Sequence, residues 1–402
     1  MHSRISGMNM SVDRNYDKIL LFIMLLLLAF GALMIYSSTS VITPLLAKKK
    51  ITEFYYFKRH FFTMILATFA LLIAYRLKPS FLKKIAVPLL IFSFFLLLLV
   101  FLPYIGVAAG GARRWIRLWP TTFQPSELVK LAMIIFLAKY MSAADYSTER
   151  FSSFVKPVFV MALFQVVFLK QPDFGAAMTL GFLTFGMLFI SGMRLRYLAS
   201  VLVLAIPIIY KLVMEPYRLR RITSFLDPWK DPQGSGFQLI QSFISIGSGG
   251  LTGLGLGESK QKLSFLPASH TDFIFCLVGE ELGLIGATLV IALFMILFLR
   301  GISMANKSRD SFHYYLAYGL TMMISIQALI NFAVVTGMVP TKGLPLPFMS
   351  YGGSALLVNM AVIGLLLRIS KGDDEVIAED NSNLIAKKIA KRNIYGRKGY
   401  SR

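Results

Sequence analysis

Ile85-Ala-Val-Pro-Leu-Leu-Ile-Phe-Ser-Phe-Phe-Leu-Leu-Leu-Leu-Val-Phe-Leu-Pro103 carries no charge from end to end and follows directly on Lys83 and Lys84. A run this long and apolar matches the ~17–25 residues that cross a hydrocarbon core as a helix. Working outward, comparable stretches lie near 17–38, 61–76, 126–142, 154–170, 174–192, 195–214, 272–299, 313–337 and 352–369, giving about ten spans. Of the 402 residues, 56% are hydrophobic and 15% charged, whereas soluble domains carry about 25% charge. The pattern predicts an all-α integral membrane protein. Its core is a bundle of about ten transmembrane helices, with a large extracytoplasmic loop between helices 7 and 8. Residues 1–16 form a cytoplasmic N-terminal segment, 17–370 one polytopic membrane domain and 371–402 a basic cytoplasmic tail. The first apolar run follows Arg14 and Lys18, is long and lacks a small-residue cleavage site, so no cleavable signal is expected.

An even number of spans puts both termini on one side. Lys371, Lys387, Lys388, Lys391, Arg392, Arg397, Lys398 and Arg402 mark that side as cytoplasmic. The formal charge of +22 is spread over many loops rather than gathered on one face. It therefore speaks for membrane topology and anionic lipid, and against nucleic acid. Cys276 is the only cysteine, which excludes an intramolecular disulfide, and His2, His60, His270 and His313 lack metal-ligand spacing.

On this topology the longest outside loop runs from about 215 to 271. Phe237-Gln-Leu-Ile-Gln-Ser-Phe-Ile-Ser-Ile246 within it is amphipathic, so interfacial helices are expected rather than an unstructured loop. Two further outside loops span 104–125 and 338–351. No internal repeat is apparent, which weakens a transporter reading.

The loop enters the eighth span at Asp272, followed by Glu280 and Glu281. Ionisable groups in or beside a bilayer are costly. A helix starting here would put Asp272, Cys276 and Glu280 on one face, with Glu280 roughly 12 Å deeper. That exceeds the ~5–9.5 Å of paired glycosidase carboxylates, so Asp272 would act alone, as a base or as a ligand for a cation. The plainer alternative is a helix N-cap. Gln124-Pro-Ser-Glu-Leu-Val-Lys130 opens the fourth span, with Glu127 and Lys130 on one face, either as a structural ion pair or as a polar cavity wall. Arg113, Arg114 and Arg117 flank Trp115, a grouping suited to phosphate or to a headgroup layer. Lys170 and Asp173 share a tight turn, Arg218, Arg220 and Arg221 add positive charge, and Lys342 lies in a proline- and glycine-broken hairpin. Gly247, Gly249, Gly250, Gly253, Gly255 and Gly257 lack the Gly-Lys-Ser/Thr of a phosphate loop and read as a flexible or close-packed segment.

Gly111-Ala-Arg-Arg-Trp-Ile, Gln124-Pro-Ser-Glu, Gln171-Pro-Asp-Phe-Gly, His270-Thr-Asp-Phe-Ile-Phe, Gly279-Glu-Glu-Leu-Gly and Pro345-Leu-Pro-Phe-Met-Ser-Tyr-Gly-Gly-Ser354 occur in this order. Together they resemble the SEDS family (shape, elongation, division, sporulation), over about 17–370. Pro340-Thr-Lys-Gly and Gln261-Lys-Leu resemble its division branch more than its elongation branch. The resemblance implies a peptidoglycan glycosyltransferase that polymerises lipid II at the outer face of the inner membrane, at the division septum. It also implies a class B penicillin-binding transpeptidase and other divisome membrane proteins as partners. Asp272 matches the family's essential aspartate; Glu127, Lys130 and Asp173 match polar residues of its central cavity. The substrate-binding candidates are Arg113, Arg114, Trp115, Gln124, Ser126, Glu127, Lys130, Lys170, Asp173, His270, Lys342 and Ser350. A divalent cation, magnesium or manganese, is expected, with Asp272 as its possible ligand, and no organic cofactor. A lipid II flippase and a non-catalytic divisome scaffold are the rival readings.

Overall fold

The computed structural model describes residues 16–39, 55–109, 112–118, 121–259, 271–340 and 343–372. Ten long helices form the body: α1 (Lys18–Thr39), α2 (Tyr55–Arg76), α3 (Pro79–Leu99), α4 (Pro125–Met141), α5 (Phe151–Lys170), α6 (Phe174–Ile190), α7 (Leu195–Val213), α10 (Ile274–Lys307), α11 (Ser311–Val335) and α12 (Gly353–Lys371). Between α7 and α10 lie two shorter helices, α8 (Pro216–Leu226) and α9 (Phe237–Gly249). Seven of the ten are long and apolar enough to cross a membrane, and α6 and the first part of α7 are shorter apolar helices. The remaining one, α4, carries Glu127 and Lys130.

Local chemistry sets the helix starts. Pro79 and Pro125 occupy first-turn positions, where a missing N–H costs nothing. Asp310 accepts from His313 N at 3.1 Å and caps α11. Pro88, Pro157 and Pro207 sit inside α3, α5 and α7, as membrane helices tolerate.

The burial pattern shows where the centre lies. α4 is buried almost all round and packs against α3, α6, α11 and α12, the mark of a core helix. Ile91, Phe92 and Phe95 of α3 and Leu202, Val203 and Leu204 of α7 point outward and exposed, an exterior suited to lipid rather than water. The first and last helices are tied together: Asp17 N donates to Ser370 Oγ at 3.1 Å, and Arg300 grips Asp17 Oδ2 through Nε at 2.9 Å and Nη2 at 2.5 Å. The start of α1 and the end of α12 therefore share one end of the bundle, as an even span count requires.

The all-α reading holds for the membrane body, but the loop over 104–125 also folds into a small antiparallel sheet, β1 (Gly106–Ala109), β2 (Ala112–Leu118) and β3 (Thr121–Phe123), in the order β1-β2-β3. A second difference concerns α10, which starts at Ile274 and runs to Lys307 rather than 272–299. Asp272 precedes it and does not share a helical face with Cys276 and Glu280. The extra length at the far end carries Arg300 to Asp17.

α10 is also broken. Gly283 has φ +64°, and the 250–255 segment runs alongside the break. Leu254 N and Gly255 N donate to the carbonyls of Glu280 and Glu281 at 2.9 and 3.0 Å, and Leu284 N and Ile285 N donate to those of Gly250 and Leu251 at 2.9 and 3.2 Å. A Cβ at Gly253 would collide with the Glu281 carbonyl. The glycine-rich segment is thus the close-packed alternative: its backbone completes the ladder of an interrupted helix.

Candidate active site

Asp272 lies in the turn that leads into α10, partly exposed. The helix cap is Phe273 and receives no side-chain hydrogen bond, so the capping alternative does not describe Asp272. Its backbone carbonyl accepts from Asn331 Nδ2 at 2.8 Å, and the same nitrogen donates to Leu344 O at 2.8 Å. The carboxylate rests against Gly343, where a Cβ would stand 2.7 Å from Oδ2. Among the described residues none hydrogen-bonds this carboxylate. Burial pushes its pKa up to about 6, opposed by the positive charges of Arg114 and Arg221.

Arg114 reaches the site because of a register fault. Val107 pairs with Trp115 but Ala108 pairs with Arg113, which leaves Arg114 as the extra residue of a β-bulge. Bulges re-aim side chains, and this one sends the Arg114 guanidinium to the Pro172 carbonyl, beside Asp173. Arg113 and Arg117 stay exposed and Trp115 is half-buried. The arginine cluster therefore splits into one inward and two outward members. From α8, Arg218 stacks over the Phe174 ring at 4.0 Å and Arg221 adds its charge near Asp272.

Asp173 is tied in twice. Its Oδ1 caps α6 by accepting from Ala176 N at 3.2 Å, and its Oδ2 accepts from Gln124 Nε2 at 3.2 Å. Gln124 N in turn donates to Ser354 Oγ at 2.8 Å. One turn deeper, Lys130 Nζ sits 2.8 Å from Glu127 Oε1, with side-chain exposures of 0% and 5%. Gln327 Nε2 reaches the other Glu127 oxygen at 3.4 Å. The pair faces the interior of the bundle rather than lipid, sealed from water. Ser126 Oγ is buried without a partner in the described residues.

Two candidates stand apart from this cluster. Ser350 locks its own turn, accepting from Leu346 N at 2.8 Å and donating its N–H to Leu346 O at 3.0 Å. That closure supports Phe348, a buried non-glycine residue at φ +64°. Lys170 is exposed at the end of α5. His270, Lys342, most of the tail and the first fifteen residues lie outside the described residues.

Asn331, Gln327 and Gln171 were not singled out from sequence, yet all three are buried; Gln171 Nε2 donates to Leu97 O at 2.9 Å. The signal was present for two of them. Gln327 and Asn331 are polar, four residues apart and inside an apolar span, which places them on one inward face.

Among the described residues no three His, Cys, Asp or Glu side chains converge as a metal site. Asp272, which feels the charges of Arg114 and Arg221, offers a single carboxylate and could be no more than one ligand of a divalent cation.

A family model described as cell cycle protein, covering FtsW, RodA and SpoVE, matches residues 17–375. The chain belongs to this family. It is a SEDS protein close to the FtsW branch. It is 45% identical over 367 residues to the probable peptidoglycan glycosyltransferase FtsW of Geobacter sulfurreducens (strain ATCC 51573 / DSM 12127 / PCA), covering 90% of this chain and 97% of that protein. Its fold is similar to a chain from a solved peptidoglycan synthase complex, described as structurally coordinating polymerization and crosslinking (TM-score 0.73, 30% identity, 89% and 99% of the two chains). It is also similar to the rod shape determining protein RodA of Thermus thermophilus (TM-score 0.66, 26% identity, 89% and 98%).

Proposed function

We propose that this protein is a peptidoglycan glycosyltransferase that polymerises lipid II for septal wall synthesis, with Asp272 as the general base. The observation that carries the reading is a single carboxylate with a raised pKa, set at one end of a membrane bundle within the field of Arg114 and Arg221. Polymerisation joins an acceptor sugar hydroxyl to the anomeric carbon of a sugar carried on lipid pyrophosphate. Asp272 takes the hydroxyl proton as the new C–O bond forms. The old bond breaks toward pyrophosphate, which leaves with the electron pair. A base near 6 is mostly ionised at neutral pH yet still basic enough to accept a proton. Pyrophosphate is a good leaving group and needs positive charge rather than a second carboxylic acid, and Arg114, Arg218 and Arg221 supply it. A single displacement inverts the anomeric centre. A magnesium or manganese ion, were Asp272 its ligand instead of the base, would screen the same charge.

In this reading the end bearing Asp272 and the small sheet is extracytoplasmic, both termini are cytoplasmic, and the protein sits in the inner membrane at the septum. A class B penicillin-binding transpeptidase and other divisome membrane proteins are its partners, supported by the likeness to a synthase complex that combines polymerization with crosslinking. Gln124, Asp173, the exposed Arg113 and the half-buried Trp115 line the approach to the site, Lys170 lies apart from it, and His270 and Lys342 are assigned there from sequence.

The test uses purified protein in liposomes containing lipid II, with its transpeptidase partner, scoring glycan chains and lipid translocation separately. We expect polymer without translocation, and a loss of about 100- to 10,000-fold in rate for Asp272→Asn. Translocation without polymer would favour the flippase, neither would favour the scaffold, and near-normal polymer from Asp272→Asn would remove Asp272 as the base.

A further inference from the structure

We infer that Asn331, with the bare backbone of Gly343, is a positioning device that sets the Asp272 carboxylate for proton transfer; the inference rests on Asp272 being the base. One buried amide nitrogen bridges two chain segments that lie far apart in sequence. Asn331 Nδ2 donates to the carbonyls of Asp272 and of Leu344, each at 2.8 Å. Both partners are carbonyls and can only accept, so the amide must present its nitrogen to them. Its buried oxygen has no partner among the described residues.

The two tethered segments meet at the carboxylate itself. Gly343 precedes Leu344, and a Cβ there would stand 2.7 Å from Asp272 Oδ2. The carboxylate thus lies on the floor that Asn331 holds down, and a Cβ at position 343 would oblige it to turn away. A turn outside the helix has no ladder of its own to fix Asp272. The tether from α11 replaces that constraint, and reacting groups misplaced by about 1 Å lose rate by about 100-fold. Asn331 touches neither reacting atom and acts through Asp272.

The test compares Asn331→Leu, close in shape but without the donor, with Gly343→Ala and Asp272→Asn, all as full-length protein in lipid II liposomes with the transpeptidase partner. We expect both positioning variants to lose about 10- to 100-fold in polymerisation at saturating lipid II, with the half-saturating lipid II concentration changed by less than about threefold. The double variant Asn331→Leu/Asp272→Asn should be no slower than Asp272→Asn alone. Parent-like rate in both positioning variants, beside an inactive Asp272→Asn, would overturn the inference while leaving the base in place. An active Asp272→Asn would instead remove the base. Loss of monodisperse protein in both positioning variants would show that the two residues carry structure rather than the seat of one carboxylate, and would also overturn the inference.

Discussion

Lys130→Met isolates the cost of an uncompensated charge inside this bundle. The Lys130 ammonium is fully buried, 2.8 Å from Glu127 Oε1, and Glu127 is itself 5% exposed at the side chain. With the lysine gone, the closest remaining donor to the carboxylate is the Gln327 amide at 3.4 Å, a weak hydrogen bond. Breaking a buried pair from one side costs about 3–5 kcal/mol, because the other charge stays buried. Replacing both members with neutral residues of similar volume, Glu127→Gln with Lys130→Met, removes the desolvation penalty along with the attraction. That double variant should fall within about 1 kcal/mol of the parent, about 2–4 kcal/mol more stable than Lys130→Met alone. The assay is a denaturant titration of detergent-solubilised protein followed by helical signal, run on the parent, the two single variants and the double. A double variant as unstable as Lys130→Met would refute the reasoning. So would a Lys130→Met protein within about 1 kcal/mol of the parent, because the Glu127 carboxylate would then be reaching water.

Asp272 should link stability and activity to pH in opposite directions. Its folded-state pKa, about 6, lies above the ordinary 3.8, so the stability given by the protonated form is complete below 3.8 and lost as pH rises through about 6. Asp272→Asn should therefore melt higher than the parent above about pH 6 and together with it near pH 4, while parental polymerisation climbs over the same interval; a pH-independent gap in melting, or a rate that falls with pH, would contradict this. Gly283→Ala should loosen the 250–255 segment, since a Cβ at φ +64° would meet Gly253 N. Limited proteolysis should then cut that segment faster than in the parent, and parent-like resistance would count against the account.

The ten helices were legible because apolar length is a local property: all ten helix starts fall within six residues of the expected ones, as α2 at Tyr55 against 61 and α3 at Pro79 against 85 illustrate. What was not legible depends on long-range pairing. The β-bulge that separates Arg114 from Arg113 exists only once β1 sets the register, and nothing in Gly111-Ala-Arg-Arg-Trp announces which arginine turns inward. Asp272 was found as a charge at a membrane boundary, but its helical face was misjudged by two residues, and its neighbours Asn331 and Gly343 are 59 and 71 positions away in sequence. Glycines 247–257 read from sequence as flexible or close-packed, but their partner, the broken stretch of α10, becomes apparent only when the two backbones lie side by side.

That side-by-side arrangement makes length, rather than composition, the quantity guarded between Gly250 and Gly255. Leu251, Leu254 and Leu256 face outward, 69%, 40% and 53% exposed, so their identities are free to drift among apolar residues. An added or deleted residue is another matter, because it would slide the amides of Leu254 and Gly255 past the carbonyls they serve and leave polar backbone facing hydrocarbon. The segment works as a ruler: its length keeps the amides of Leu254 and Gly255 opposite the carbonyls of Glu280 and Glu281.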